Sequence, residues 1–331
     1  MARIDRLSTV VRAVACCAML SASSCDGAAP ESALSRSGRY GSLRDLVLYE
    51  RPPELGGPFF LDSFEATRAD FAEFAAAKEG IAIGASSPRM RDDEGSLPVA
   101  GIDLRVARAF AQWRRCRLPR ADEWAFACTA DGHDSFPWGS RPDPSRANTS
   151  DLGVFAPLPV GTFESGRASS GPYDLVGNVA EWTESVAPSW FATERDSLPA
   201  SLLARDAIAR LPALAAWAPA PSVFPLSFVV EAAGDEAPRE TVGADFASPM
   251  TDVREARAPS DFGDRLGVRL ATSPREILEA IGEDVLALSG VDRELWLRFC
   301  AGPDHKAALH AALPTARVSA AARSRWLEAV K

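Results

Sequence analysis

Residues 171–182, GPYDLVGNVAEW, place the tightest local constraint on this chain. Tyr173, Leu175 and Val179 are material for a strand or a core. Gly177 and Asn178 both tolerate positive φ and signal a turn. A turn that closes on an acid beside an aromatic ring, Glu181 and Trp182, fixes backbone carbonyls, an amide and a carboxylate at one point. Such a set of oxygens suits a hard cation. It equally suits a structural turn whose Trp182 fills the core.

The 331 residues, 47% of them hydrophobic, suffice for one large domain or two ordinary ones. A net charge of −9 argues against a nucleic-acid partner, whose phosphates need a basic face. No basic patch with interleaved aromatics is found either.

At the N-terminus, Arg3, Arg6 and Arg12 precede an apolar run at residues 14–20 and then small residues, the layout of a secretory signal over residues 1–24. The run is too short to cross a bilayer as a helix. Ala22-Ser23-Ser24-Cys25 resembles a bacterial lipoprotein box, with Ala22 where Leu or Val is usual, and Cys25 is then the lipidated residue. The expectation is an exported chain, either anchored in the bacterial cell envelope or released to the periplasm or beyond after ordinary cleavage. An N-terminal helix without export is the remaining reading. Residues 25–45, rich in Ser, Ala, Gly and Arg, read as a tether, with order beginning near Leu46. Cys116, Cys128 and Cys300 are the cysteines left over, and they permit a Cys116–Cys128 disulfide or buried free thiols.

LVLYE and PFFLDSFEA predict two strands, and Thr67 with Asp70 predicts the cap of a short helix to about residue 78. LPVAGI predicts a strand. Asp103 caps a helix carrying Val106, Phe110 and Trp113, and a further helix follows Arg117-Leu118-Pro119, with Pro119 near its first turn and Trp124 and Cys128 on one core face. Residues 132–170 read as loop apart from a short strand at PVGTF. After Trp182 an Ala- and Pro-rich stretch predicts a helix over 202–211 and a strand at VFPLSFVV, and TVGADFAS and LGVRLAT predict closing strands. Ser273-Pro274-Arg275-Glu276 is a capping box that opens a helix with Ile277, Ile281, Val285 and Leu288 on one stripe. Two or three more short helices are expected, around 292–300, 303–313 and 319–330, making a helical extension over 273–331. Of the three histidines, His305 and His310 are expected at a solvated helix end. No HExxH, CxxC or GxSxG motif occurs.

FFLDSFEATRADFAEF, LPVAGIDLRVARAFAQW, CRLPRADEWAFAC, FPWG, ANTS, PVGTF, GPYDLVGNVAEWT and LGVRLA run in one order along the chain. Together they resemble the formylglycine-generating enzyme, or sulfatase-modifying factor, family. The resemblance implies an α+β, C-type-lectin-like fold with long loops over residues 46–272, followed by the helical extension.

The best-known members of that family oxidise a sulfatase cysteine to formylglycine with copper held by two cysteines after an RGGSW-like strand. The matching strand here is VGADF, residues 242–246, and the cysteine positions fall on Ser248 and Val253. No Cys or His occurs from Thr241 to Arg269, so copper is not expected. The resemblance also implies structural calcium, at Asn178 and Glu181 and at a second site beginning at Asn148. Two functions follow as expectations. One is a non-catalytic, surface-tethered module that binds a protein, peptide or cell-envelope ligand. The other is an enzyme with altered, oxidative or peptide-modifying chemistry, with Asp245, Ser248, Asp252, Arg254 and Arg257 lining the equivalent cleft.

Overall fold

A computed structural model describes residues 38–77, 94–129, 133–187, 237–250 and 253–330. Two small sheets form its centre. The first joins β1 (Leu46–Tyr49), β2 (Phe59–Asp62) and β7 (Ala271–Thr272) in the order β1-β2-β7, with both pairs antiparallel. The second runs β5-β4-β3-β6 and contains β3 (Ala180–Val186), β4 (Arg239–Val242), β5 (Arg254–Arg257) and β6 (Leu266–Gly267). Only β3 with β6 is parallel.

Three helices pack on these sheets. α1 (Arg68–Ala76) starts at Thr67, whose hydroxyl and backbone N–H exchange bonds with Asp70 in a capping box. α2 (Leu104–Trp113) begins where Asp103 accepts the Val106 N–H at 2.7 Å. α3 (Ala121–Cys128) opens on Arg120, so Pro119 lies just ahead of the first turn. Trp124 and Cys128 are both buried, as their shared face requires. The three described cysteines are buried thiols, and Cys116 and Cys128 form no bridge.

The C-terminal extension consists of α4 (Pro274–Ile281), α5 (Gly290–Ala301), α6 (Pro303–Ala312) and α7 (Ala320–Ala329). The Ser273–Glu276 capping box starts α4. The helix stops at Ile281 because Gly282 takes φ of +46°, and a 3-10 turn keeps Val285 buried. Rather than forming a core of their own, these helices share one with the main domain, where Ile277, Trp296, Phe299 and Trp326 join Leu46, Phe60, Val106 and Trp113. Ion pairs reinforce the seam: Arg117 bridges Glu123 and Glu276, and Asp284 receives both Tyr40 and Arg115.

Several local expectations fail for identifiable reasons. Order begins before Leu46, because Tyr40 and Leu43 are buried around a 3-10 turn at Gly41–Arg44. LPVAGI makes single bridges at Pro98 and Ala100 instead of a strand; Pro98 has no N–H to donate, and Gly101 turns at φ +79°. PVGTF is a turn around Gly161, whose N–H is drawn to Asp174. The strand expected through Phe246 ends at Val242, since Gly243 and Ala244 take φ of +101° and +57°. LGVRLAT is divided between β6 and β7, in different sheets. His310 is exposed as expected, but His305 is wedged between Phe60 and Phe299, with ring centroids 5.0 and 4.9 Å away. The helix over 202–211, the VFPLSFVV strand and Cys25 lie outside the described residues. No described helix is long and apolar enough to cross a membrane.

Candidate functional site

The opening motif builds the turn before β3. Gly177 carries φ +88°, and a β-carbon there would stand 2.5 Å from the Asn148 carbonyl oxygen, so only glycine fits. Asn178, at φ +64°, then donates its N–H to that carbonyl at 2.8 Å. Its side chain is fully committed. Oδ1 accepts from Asn148 Nδ2 at 3.1 Å and Leu158 N at 2.9 Å, while Nδ2 donates to Glu65 at 2.6 Å and to the Leu158 carbonyl at 3.2 Å.

Beside this turn lies a fully buried acidic centre. Glu181 on β3 is held side-on by Arg269, whose Nε reaches both carboxylate oxygens at 2.9 and 3.1 Å. The remaining arms of Arg269 donate to the carbonyls of Asp62 and Tyr173 at 3.1 and 2.9 Å. Such a fork fits a guanidinium and no lysine. Glu65 accepts the Val179 N–H at 3.0 Å, and Asp174 accepts the Gly161 N–H at 2.7 Å. Burial pushes Glu65 well above the usual carboxylate range, with Asp174 and Glu181 adding repulsion. Asp174 and Glu181 are raised by burial as well, and Arg269 opposes the rise in all three. Three carboxyl groups thus share one guanidinium.

The oxygen chemistry and negative excess of this centre fit calcium, but Asn178 has no free lone pair to offer it, and Glu181 is already occupied by Arg269. Asn148 is different. Its Oδ1 is buried and has no partner, while its Nδ2 is bonded to the Ala156 carbonyl and Asn178. Among the described residues, no three His, Cys, Asp or Glu side chains converge as a metal-binding group, so any cation here would draw on amide and carbonyl oxygens too.

The second sheet and the loop after β4 line a shallow indentation. Asp245, Ser248, Val253 and Arg254 line it together with Thr241 and Glu255, while Arg257 is not among its walls and Asp252 lies outside the described residues. The indentation is too narrow to take the centre of a water molecule. Asp245 is buried and accepts from the Ala247 N–H at 2.8 Å and from Arg265 at 3.1 Å. Arg254, 2% exposed, pairs across the strands with Glu240. Arg257 pairs with Glu255. Burial raises Glu240, and Arg254 draws it back.

Sequence reasoning missed Glu65, Asp174, Arg269 and Glu240. A usable signal existed for Arg269, a lone charge inside the apolar run LGVRLA, since a buried charge must find a partner.

A family profile described as the sulfatase-modifying factor enzyme 1-like domain matches residues 50–274. The chain belongs to this family. Hercynine oxygenase of Mycolicibacterium smegmatis is 34% identical over 146 residues, covering 40% of this chain and 33% of that protein. Inactive C-alpha-formylglycine-generating enzyme 2 of Mus musculus is 30% identical over 180 residues, covering 39% of this chain and 58% of that protein. The alignments thus span between about a third and somewhat over half of these relatives. Among solved structures, PvdO from Pseudomonas aeruginosa aligns with a TM-score of 0.45 at 20% identity, covering 65% of this chain and 80% of that one. The α+β fold over residues 50–274 is that of a divergent sulfatase-modifying factor domain, and the C-terminal helices follow the matched residues.

Proposed function

We propose that the chain is an exported binding or scaffold module on the sulfatase-modifying factor fold, held at the cell envelope, that does not generate formylglycine. The observation that carries this reading is the condition of the cleft. Two of its charged groups, Asp245 and Arg254, are buried and paired inside the fold with Arg265 and Glu240. A group that transfers protons or binds a reacting atom must reach it. The absence of Cys and His between Thr241 and Arg269 supports the same conclusion for copper held by thiolates. The mouse relative, named as inactive, is a precedent for a silent member. The ligand of such a module is a protein, a peptide or a cell-envelope component.

An enzyme with altered oxidative chemistry is the second reading, favoured by the likeness to hercynine oxygenase. Elemental analysis of the purified chain after dialysis separates the two. Calcium alone, or no metal, is expected; copper or iron at one equivalent would overturn the non-catalytic reading.

Calcium is proposed as a structural ion at the turn, with the unpartnered Asn148 oxygen as one donor and amide and carbonyl oxygens of the surrounding loops as the others. In this role Asn178 is a support that holds Glu65 and Asn148 in place. Calcium added after chelation should raise the melting temperature, and Asn148→Ala should abolish that rise. An unchanged melting temperature on adding calcium refutes the ion.

A further inference from the structure

We propose that two copies of this chain pair antiparallel along the outer edge of β5, about a two-fold axis at Ala256, so that their second sheets become one. This goes beyond the binding-module reading and does not depend on it. β5 ends the sheet order β5-β4-β3-β6, and among the described residues no strand lies on its far side. The opposite end of that sheet is closed, because Ala100 bridges Gly267 on β6, and Arg117 likewise closes the first sheet at Ala271 on β7. An open edge is ordinarily blunted by a proline, a bulge, repelling charges or a covering loop. β5 reads Arg-Glu-Ala-Arg, without proline, and its register with β4 runs unbroken from Arg254 to Arg257. That register also fixes which backbone groups face outward. Gly243 donates its N–H to the Val253 carbonyl at 3.0 Å, so in the next pair, Val242 with Arg254, the backbone groups point away from each other. Alternation then turns the backbone groups of Glu255 and Arg257 towards β4 and those of Arg254 and Ala256 outward. The N–H and carbonyl of Ala256 have no backbone partner among the described residues beyond β4.

Charge complementarity selects a second copy as the occupant and sets its register. With Ala256 opposite itself, the two copies exchange both N–H···O=C bonds at that residue. Glu255 then stands opposite the partner's Arg257, and Arg257 opposite the partner's Glu255, on one face of the joined sheet. Opposite charges placed directly across two strands attract, and like charges repel. An axis at Glu255 would instead set two carboxylates face to face, and one at Arg254 or Arg257 two guanidinium groups. An axis between residues would set outward backbone groups against inward ones. Within the chain, Arg257 lies opposite Arg239 of β4 and pairs with its own Glu255. The Arg257 and Glu255 side chains nevertheless remain 35% and 31% exposed, within reach of another strand. The partner's carboxylate adds a second acid beside Arg257 and closes a ring of two acids and two arginines across the axis. Because Glu255 also lines the indentation, the pairing brings the partner's Arg257 to that wall.

A four-residue edge is a small contact, so a dissociation constant on the order of 10 µM is expected, and sedimentation equilibrium of the purified full chain from about 1 to 300 µM covers it. Glu255→Arg alone sets arginine against arginine, and Arg257→Glu alone sets acid against acid. Two cross-strand pairs change sign in each variant, so self-association should weaken at least about tenfold. Mixed in equal amounts, the two variants should associate as the wild type does, because every facing pair is again of opposite charge. Circular dichroism reports whether each variant is folded. Glu255→Arg combined with Arg257→Glu keeps the pair within the chain and should restore the dimer, so the charge argument is tested even where a single variant fails to fold. Ala256→Pro removes an outward N–H while sparing the β4–β5 ladder, and should abolish the dimer. A wild type that stays monomeric at about 300 µM overturns the proposal. A dimer unchanged by Glu255→Arg and by Ala256→Pro assigns self-association to another face and also overturns it.

Discussion

Arg269→Met removes the one cation among three buried carboxyl groups while keeping a similar apolar volume. In the native protein the guanidinium bonds both oxygens of Glu181 and two backbone carbonyls, with Arg269 and Glu181 wholly enclosed. Breaking a buried pair from one side costs about 3–5 kcal/mol, because the partner's charge stays behind without water. A domain of this size then melts roughly 10 °C lower. The sign with pH follows from the carboxyl groups. Glu65, Asp174 and Glu181 all have folded-state affinities for protons above their unfolded ones, and Arg269 holds each of those affinities down. A raised carboxyl contributes stability below its unfolded pKa and loses it as pH rises through the folded value. Without Arg269 that loss grows, so the variant should be penalised more at pH 8 than at pH 5. Urea unfolding followed by circular dichroism at both values measures the difference. Arg269→Met combined with Glu181→Gln should recover part of the loss, since no unpaired charge then remains on β3. A penalty below about 1 kcal/mol would refute the buried-pair argument, as would one independent of pH.

Gly177→Ala adds a β-carbon 2.5 Å from the Asn148 carbonyl at a φ of +88°, and should cost about 2–3 kcal/mol in chemical unfolding through strain and a lost turn. An effect within about 0.5 kcal/mol would show that the loop at Asn148 gives way freely. His305 has its pKa lowered by burial, so its contribution is complete above the unfolded value near 6.5 and declines as pH falls through the folded value. On acidification from pH 7 towards 5 His305 therefore subtracts stability against the gain from the raised carboxyl groups, and His305→Phe should remove that subtraction and change the slope towards greater stability at pH 5; identical slopes would count against His305.

Capping chemistry made the helices legible, because it is written in adjacent residues. Thr67 with Asp70, Asp103, and Ser273 with Glu276 each mark a helix start that the fold confirms. The strands were less legible, since short strands depend on a partner remote in sequence. Pro98 and Gly161 sit in stretches with strand-like composition, yet one lacks a donor and the other turns to satisfy Asp174. Tertiary demand overrode local propensity in both places. The same limit applied to the C-terminal helices. The apolar stripe of α4 announced that it is amphipathic, but that the helical layer covers Phe60 and Leu46 follows only from the three-dimensional arrangement.

The motif at residues 171–182 was legible as a turn of unusual constraint, and that reading stands in the glycine contact at Gly177. What it could not disclose is how the buried acids divide their work. Asn178 looked like a ligand because it is an amide at a turn beside an acid. In the fold it instead joins Glu65, Leu158 and Asn148, which are 113, 20 and 30 residues away along the chain. The acid that did belong to the centre, Glu181, found its cation at Arg269, 88 residues later. A residue type predicts which bonds a side chain can make; only long-range packing decides which of them it has already made. The same reasoning bears on the cleft, where Asp245 and Arg254 had the composition of a reactive site. Each is instead held by a neighbour of opposite charge, Arg265 from the loop before β6 and Glu240 from β4. Asp245 and Arg254 thus take part in holding the second sheet and its flanking loops together.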